Sequence, residues 1–305
     1  MTGDVSTGTG AVAADGTADG TAGDVVADGT AGDVVAVLGA GVMGETLLAG
    51  LLRAGRPASG LLISERREAR AQELRERHGV EVVDNPTAVR AARTVVLVVK
   101  PQDVPAVVAE IGPHLAPGTL VVSLAAGVTT AAIERGLAEA GAPEAVAVVR
   151  VMPNTPALVD AGMSALSPGL HCDAGHLDAA EALLASVGKV VRVPEHQMDA
   201  VTAVSGSGPA YVFYVVEAMV EAGVLLGLSR DVATTLAVQT VLGAGKMVAE
   251  TGQHPTVLRE QVSSPAGTTM AAIRVLDDRR VRAAFVKAME AARDRSAELG
   301  RLAGS

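Results

Sequence analysis

The feature that most constrains the fold is a glycine-rich turn that follows a short apolar run near the start of the ordered-looking sequence. The run is Val34–Leu38, and the turn is Gly39-Ala40-Gly41-Val42-Met43-Gly44, which fits the pattern GxGxxG. Between a buried strand and a helix, the first glycine allows a tight turn, the second lets the backbone approach a pyrophosphate, and the third allows close helix–strand packing. This context predicts the first βα unit of a Rossmann-type, dinucleotide-binding domain.

Apolar runs alternate with helical stretches from this turn to about Pro194. The predicted strands are Val34–Leu38, Leu61–Ser64, Glu81–Val83, Thr94–Val99, Thr119–Val122, Ala145–Val151, Met163–Leu166 and Val190–Val193. Helices are predicted between them, and such alternation is typical of an α/β protein with a doubly wound parallel sheet.

Strand-like runs disappear after Pro194, and residues 195–305 have a helical pattern almost throughout. Their apolar faces are wide enough to pack against another chain, which predicts a homodimer or higher homo-oligomer through the C-terminal helices. We therefore predict a dinucleotide-binding domain at 33–194 and an all-helical substrate and dimerisation domain at 195–305. Residues 1–32, which contain the repeated unit ADGTAGDVV, are predicted to be a disordered, low-complexity tail.

Composition argues against several classes of partner. The net charge of -9 disfavours nucleic acid and anionic membranes. The lone Cys172 and the lack of a signal-peptide pattern predict a cytoplasmic protein. The run Ala210–Leu228 is apolar, but Glu217 and Glu221 interrupt it, which predicts a buried helix of a soluble protein and no membrane span. The histidines lack the spacing of metal ligands, except that His171 and His176 share a loop with Cys172 and Asp173. That group is interpreted as surface, so no metal is predicted.

The end of the second strand bears on the choice of coenzyme. Ser64 ends that strand and Arg66 follows closely, and a hydroxyl beside a guanidinium suits the 2′-phosphate of NADPH. A shift of one residue would instead make Glu65 the acid that holds the ribose of NADH. NADPH is favoured and NADH stays open. Lys100, at the end of the fourth strand, either approaches the ligands or faces water at a helix start.

The segment Gln261–Ile273, QVSSPAGTTMAAI, is a loop of hydroxyls and small residues that runs into a predicted helix. It contains no Lys, His, Asp or Glu. The free N–H groups and positive dipole end of a helix start suit a carboxylate, and Ser263, Ser264, Thr268 and Thr269 add neutral donors. The alternative interpretation is a simple N-cap and turn.

Together these segments resemble pyrroline-5-carboxylate reductase. The matching pieces are VLGAGVMGE at Val37–Glu45, VVKPQ at Val98–Gln102, VVSLAAGVTT at Val121–Thr130, RVMPNTPALV at Arg150–Val159, VSGSGPAYV at Val204–Val212, EAGVLLGLSR at Glu221–Arg230 and VSSPAGTTMAAI at Val262–Ile273. The resemblance implies a Rossmann domain, a helical domain that interlocks with that of a partner, and reduction of 1-pyrroline-5-carboxylate to L-proline by NADPH or NADH, the last step of proline synthesis.

The resemblance also implies roles for individual residues. It implies coenzyme contacts at Gly41, Val42, Met43, Gly44, Ser64, Asn85, Val99, Lys100 and Ala126. The glycine turn and the ends of the second and fourth strands add Gly39, Arg66 and Pro101 to these candidate coenzyme-binding residues. The candidate substrate-binding residues are Ser264, Gly267, Thr268 and Thr269. Of these, Ser264 and Thr269 are the candidate catalytic residues, with Thr269 near the ring nitrogen. Ala266 departs from the family, because many members have glycine there, and its methyl group restricts φ.

Two other functions stay open from the sequence. A non-catalytic NADP(H)-binding sensor would need the glycine turn but not the hydroxyl loop. A reductase of another imine or of a hydroxyacid would share the fold. However, dehydrogenases of the β-hydroxyacid type share a lysine on the interdomain helix, which acts as the acid/base. The predicted helix after Gly208 has none.

Overall fold

Within residues 34–303, which the computed structural model describes, eight strands form one sheet in the order β3-β2-β1-β4-β5-β6-β7-β8. The strands are β1 (Val35–Leu38), β2 (Leu61–Ser64), β3 (Glu81–Val83), β4 (Thr94–Leu97), β5 (Leu120–Ser123), β6 (Ala147–Met152), β7 (Gly162–Pro168) and β8 (Gly188–Arg192). They confirm the predicted Rossmann-type sheet. The tail predicted at 1–32 lies outside the described residues.

Strands β1 to β6 pair in parallel, and the chain runs outward from β1 in both directions of the sheet. The helices that cross between them are α1 (Val42–Arg53), α2 (Glu68–His78), α3 (Asn85–Ala91), α4 (Val104–Ile111) and α5 (Thr130–Glu139). Because helices cover both faces, the strands are apolar on both faces. In β1, Val35 and Val37 belong to one core cluster, whereas Ala36 and Leu38 belong to the other.

The strand β7 runs antiparallel to β6, which the apolar pattern did not predict. The connection at 153–161 is too short for a helical crossover, so the chain turns back on itself. Helix α6 (Ala174–Leu184) then provides the crossover to β8, which is parallel to β7. Strand β6 also starts later than predicted, because Ala145 has a left-handed φ of 60° that does not fit a strand.

Every described element after Arg192 is helical, which confirms the predicted all-helical C-terminal part. Its helices are α7 (Met198–Val201), α8 (Gly208–Leu225), α9 (Arg230–Thr251), α10 (Pro255–Gln261), α11 (Thr268–Asp278) and α12 (Val281–Ala303). A π-helical segment, Thr202–Gly206, joins α7 to α8. The domain boundary near Pro194 stays a prediction.

The long helices α8 and α9 are largely uncovered by their own chain. Val220 is the one buried residue of α8, whereas Leu225 is 88% exposed. The prediction of a buried helix at 210–228 is therefore wrong for the single chain. By length and composition alone, the stretches Glu195–Leu225 and Arg230–Thr251 could span a membrane. Exposed apolar faces of this size are equally typical of a protein interface.

Candidate active site

The three glycines of the turn before α1 have different surroundings. Gly39 has a φ of 111°, and a Cβ there would collide with the carbonyl oxygen of Val98. A Cβ at Gly44 would collide with the carbonyl oxygen of Gly39. At Gly41, by contrast, an added Cβ would have no described atom from outside the turn and its helix within 4 Å. The fold thus requires the first and third glycines, while the second faces open space.

Free N–H groups of the helix start lie directly after this glycine. The N–H groups of Val42, Met43 and Gly44 precede the first helical hydrogen bond of α1, which runs from Glu45 N to Gly41 O at 3.0 Å. No side chain caps the helix. An uncapped helix start beside an open glycine is suited to a phosphate group.

A cavity of about 270 Å³ lies at the carboxyl end of β2. It adjoins the glycine turn, because Gly39 N donates to Ser64 O at 3.4 Å. The candidates Ser64, Arg66 and Asn85 all line it. Ser64 Oγ donates to Asn85 Oδ1, and both residues are almost fully buried. The structure thus brings these three predicted coenzyme residues together.

Glu65 also lines the cavity, but its carboxylate is engaged within its own turn. Its carboxylate accepts hydrogen bonds from Arg67 N at 2.9 Å and Arg67 Nε at 3.1 Å. The side-chain hydrogen bond from Arg67 lowers the pKa of Glu65, against the effect of burial. Strand β2 ends at Ser64, opposite Leu38 of β1, as the sequence predicts. The strand register therefore favours Ser64 over Glu65 as the residue that meets the ribose.

A second cleft, of about 700 Å³, separates the ends of β4 and β5 from the helical part. Pro101 and Ala126 line it from the sheet side, and Ser207 and Ser296 line it from the helices. Val99 is half-buried, whereas Lys100 is exposed and makes no side-chain hydrogen bond or ion pair within residues 34–303. Both readings of Lys100, a ligand contact and a solvent-facing residue, are compatible with this position.

Glu195, which no sequence pattern singled out, ties the sheet to the first turn of the helical part. Its carboxylate accepts hydrogen bonds from Thr130 N and Thr130 Oγ1, both at 2.8 Å, and lies 3.3 Å from Arg150 Nη1. Thr130 begins α5, directly after the loop that carries Ala126. The contact joins segments 65 residues apart in the chain, so local patterns could not reveal it.

Asn154, in the MPNTP segment after β6, connects the sheet to the π-helical segment. Its Nδ2 donates to Ser205 O at 3.1 Å, and its Oδ1 accepts from Met163 N at 2.8 Å. Both polar atoms of the side chain are therefore used within the chain. These two hydrogen bonds orient the Asn154 amide, which keeps one N–H and one lone pair unused by them.

The hydroxyl loop ends at the start of α11, which no side chain caps. The hydroxyls of Ser264, Thr268 and Thr269 make no hydrogen bond to any other described residue, although Gly267 N donates to Ser264 O at 3.0 Å. Three neutral donors and an uncapped helix start thus lie together. This arrangement is suited to a small carboxylate.

Two other residues shape this loop. Ser263 Oγ donates to Arg259 O at 2.6 Å, so the prediction that this hydroxyl is a donor for the ligand is wrong for this residue. Ala266 has a left-handed φ of 57°, a conformation that costs an alanine more than a glycine. Ala266 therefore holds, under strain, a backbone conformation that glycine would adopt freely.

Within one chain, the hydroxyl loop (residues 263–269) and the glycine turn before α1, called the coenzyme turn below, do not line a common cavity. Neither the 270 Å³ cavity nor the 700 Å³ cleft is lined by any residue of 263–269. The predicted substrate and coenzyme residues therefore form two separate groups in the single chain. Among residues 34–303, no cluster of three or more His, Cys, Asp or Glu side chains is arranged to hold a metal ion.

Comparison with protein families matches both parts of the chain. A family model described as pyrroline-5-carboxylate reductase dimerisation matches residues 195–299. A model described as NADP oxidoreductase, coenzyme F420-dependent, matches residues 34–127. The match to a dimerisation model agrees with the exposed apolar helices α8 and α9.

Individual proteins match over nearly their whole length. A pyrroline-5-carboxylate reductase of Corynebacterium melassecola is 48% identical over 263 residues, which are 85% of this chain and 96% of that protein. The solved structure of a pyrroline-5-carboxylate reductase from Coxiella burnetii is 38% identical, with a TM-score of 0.83 over 88% of this chain and 98% of that one. That of the Plasmodium falciparum enzyme with NADP bound is 28% identical, with a TM-score of 0.77 over 89% of this chain and 100% of that one. The chain therefore belongs to the pyrroline-5-carboxylate reductase family, as the resemblance of its motifs predicts.

Proposed function

We propose that this chain reduces the C=N bond of 1-pyrroline-5-carboxylate to give L-proline, with NADPH as the preferred coenzyme and NADH as a second one. The observation that carries the proposal is the uncapped start of α11, where the hydroxyls of Ser264, Thr268 and Thr269 have no partner among the described residues. Membership of the family supports the same reaction.

The edge of the sheet fits a dinucleotide. The open space at Gly41 and the uncapped start of α1 suit the pyrophosphate. The cavity around Ser64, Arg66 and Asn85 suits the adenosine ribose and its 2′-phosphate. The remaining candidates follow β4 and β5 at the same edge, toward the nicotinamide end: Val99, Lys100, Pro101 and Ala126. When bound, NADPH supplies the hydride.

The hydroxyl loop holds and orients the substrate. Backbone N–H groups at Gly267–Thr269 and the Ser264 hydroxyl bind the carboxylate. The Thr269 hydroxyl faces the ring nitrogen and orients the protonated imine. Hydride adds to the ring carbon, the electron pair of the C=N bond moves to nitrogen, and the amine forms without a further acid. Orientation is then the main catalytic requirement, in agreement with a loop that contains no charged side chain.

The proposed active unit is a soluble, cytoplasmic homodimer or higher homo-oligomer. Within one chain the substrate loop and the coenzyme turn share no cavity. Leu226 of the α8–α9 turn is 83% exposed and Leu242 of α9 is 62% exposed. A second copy would cover these apolar faces and bring the loop of one chain near the coenzyme turn of another. This account also explains why helices long enough for a membrane occur in such a protein.

The first test is oxidation of NADPH by the purified protein, with and without pyrroline-5-carboxylate. We expect turnover that depends on the substrate and yields proline, with a smaller kcat/KM for NADH. Binding of NADPH without oxidation by this substrate would contradict the proposal and favour the sensor. Turnover with a different cyclic imine alone would change the substrate but keep the reaction type.

Variants of the hydroxyl loop test the roles of its residues. Thr269→Ala should lower kcat by roughly ten- to a hundredfold, and Ser264→Ala should mainly raise KM for the substrate by about tenfold, the loss of one hydrogen bond to a charged group. Ser263→Ala is the matched control, because its hydroxyl already bonds Arg259 O at 2.6 Å. Near-normal kcat and KM in Thr269→Ala, or equal effects in all three variants, would show that these roles are wrong.

A further inference from the structure

Glu110, on α4, lies in the cavity at the end of β2, outside every segment that the family resemblance singled out. Its Oε2 accepts a hydrogen bond from Asn85 Nδ2 at 2.8 Å and lies 3.3 Å from Arg66 Nη2. A single carboxylate oxygen thus engages two of the three side chains that are proposed to meet a 2′-phosphate.

The Glu110 contact fixes which way the Asn85 amide points. An ionised carboxylate only accepts hydrogen bonds, so Asn85 turns its NH₂ group toward Glu110 and its carbonyl oxygen toward Ser64. Ser64 Oγ then donates its proton to that carbonyl oxygen. The Ser64 oxygen is left with its lone pairs for a ligand. A ribose 2′-hydroxyl can donate to such an oxygen, whereas the oxygens of a phosphate dianion only accept.

The charges that line the cavity also disfavour a 2′-phosphate. The charged lining consists of four carboxylates and two guanidinium groups: Glu65, Glu68, Asp84, Glu110, Arg66 and Arg75. Arg75 is 2.7 Å from Glu68, and Arg66 is 3.3 Å from Glu110. Both arginines are therefore already paired, and a 2′-phosphate must compete with Glu110 for Arg66.

We propose that Glu110 is a specificity-determining residue, which lowers the preference of the site for NADPH over NADH. The proposal rests on the coenzyme site proposed above and deepens it. Glu110 acts by fixing Asn85 and Ser64 in an arrangement that accepts a ribose hydroxyl and by holding Arg66. The natural coenzyme preference is then a balance, with Arg66 favouring NADPH and Glu110, through Asn85 and Ser64, opposing it.

The Glu110→Gln variant keeps the size of the side chain but removes its charge, and its amide can also donate to the Asn85 carbonyl. We expect the ratio of kcat/KM for NADPH to that for NADH to rise on the order of tenfold, mainly through a lower KM for NADPH. Glu68→Gln is the matched control, because it removes the same charge from the same cavity but contacts Arg75 instead of Asn85. It should give a clearly smaller rise.

Fluorescence titration of NADPH and NADH without substrate separates this proposal from the proposed reaction. The ratio of dissociation constants should shift in Glu110→Gln as the kinetic ratio does. An unchanged or lower preference for NADPH in Glu110→Gln, or an equal rise in Glu68→Gln, would overturn the role of Glu110. If both coenzymes bind but pyrroline-5-carboxylate is not reduced, the proposed reaction fails while the titration still decides the role of Glu110. Failure to bind either coenzyme would overturn both.

Discussion

Replacing Gly41 by alanine tests the coenzyme turn, because stability and binding are separable at this residue. Gly41 has φ of -68° and ψ of -178°, which is extended backbone that alanine adopts freely. The added Cβ meets no described atom from outside the turn and its helix within 4 Å. We expect the free energy of unfolding to stay unchanged or to rise by about 0.4–1 kcal/mol, because alanine restricts the unfolded chain.

The same methyl group should weaken coenzyme binding strongly. The pyrophosphate is proposed to approach the backbone at Gly41 and to accept hydrogen bonds from the start of α1. Loss of one hydrogen bond to a charged group costs about 1.5–3 kcal/mol. This cost corresponds to a Kd for NADPH that is weaker by roughly 10- to 150-fold.

Thermal unfolding and fluorescence titration with NADPH measure the two effects on the same samples. Gly60→Ala is the matched control, since Gly60 precedes β2 at the opposite edge of the sheet and its Cβ would lie 3.8 Å from Pro57 Cγ. Gly44→Ala should instead destabilise the fold, because its Cβ would collide with Gly39 O. Wild-type affinity for NADPH in Gly41→Ala would refute the placement of the pyrophosphate at this turn. A loss of stability would refute the claim that a Cβ at Gly41 meets no neighbouring atom.

Two further predictions concern stability. Ala266→Gly should raise the free energy of urea unfolding by about 1 kcal/mol, because glycine adopts the φ of 57° without strain; a decrease would contradict the strain. Burial tends to raise the pKa of Glu45, but hydrogen bonds from His78, Arg70 and Arg77 lower it to about 2. The stability that Glu45 contributes, about 2–3 kcal/mol, should therefore be present above pH 4.5, the ordinary value, and be lost as the pH falls to about 2. In urea titrations, Glu45→Gln should be less stable than the wild type at pH 7 and equal to it near pH 2. A difference in the free energy of unfolding that does not change with pH would contradict the assignment to the ionised carboxylate of Glu45.

The strands of the sheet could be predicted because each is a short apolar run that is buried on both faces. The residues of β1 alternate between two core clusters, and both clusters require apolar side chains. The direction of β7 could not be predicted in this way, because parallel and antiparallel strands share the same pattern. The length of the connection at 153–161 carried that information instead.

The sequence could place the candidate coenzyme residues near one another because they follow strands that end at one edge of the sheet. Glu110 and Glu195 could not, because they reach the site across helix packing, 25 residues from Asn85 and 65 residues from Thr130. The exposure of α8 was missed for a different reason. Apolar composition predicts that a helix is covered, but it does not say whether its own chain or a second chain covers it.

The two proposed anion sites, at the starts of α1 and α11, have the same backbone arrangement. Helices α1 and α11 both begin after a glycine with extended backbone, Gly41 and Gly267, and neither has a side-chain cap. At α5, by contrast, the Thr129 side chain accepts a hydrogen bond from Ala132 N and so satisfies one first-turn group. A glycine before the helix leaves these N–H groups for an external anion. One such start for the coenzyme pyrophosphate and one for the substrate carboxylate would fix hydride donor and acceptor without any charged side chain between them. A protonated imine needs little more than this, because it already carries its proton.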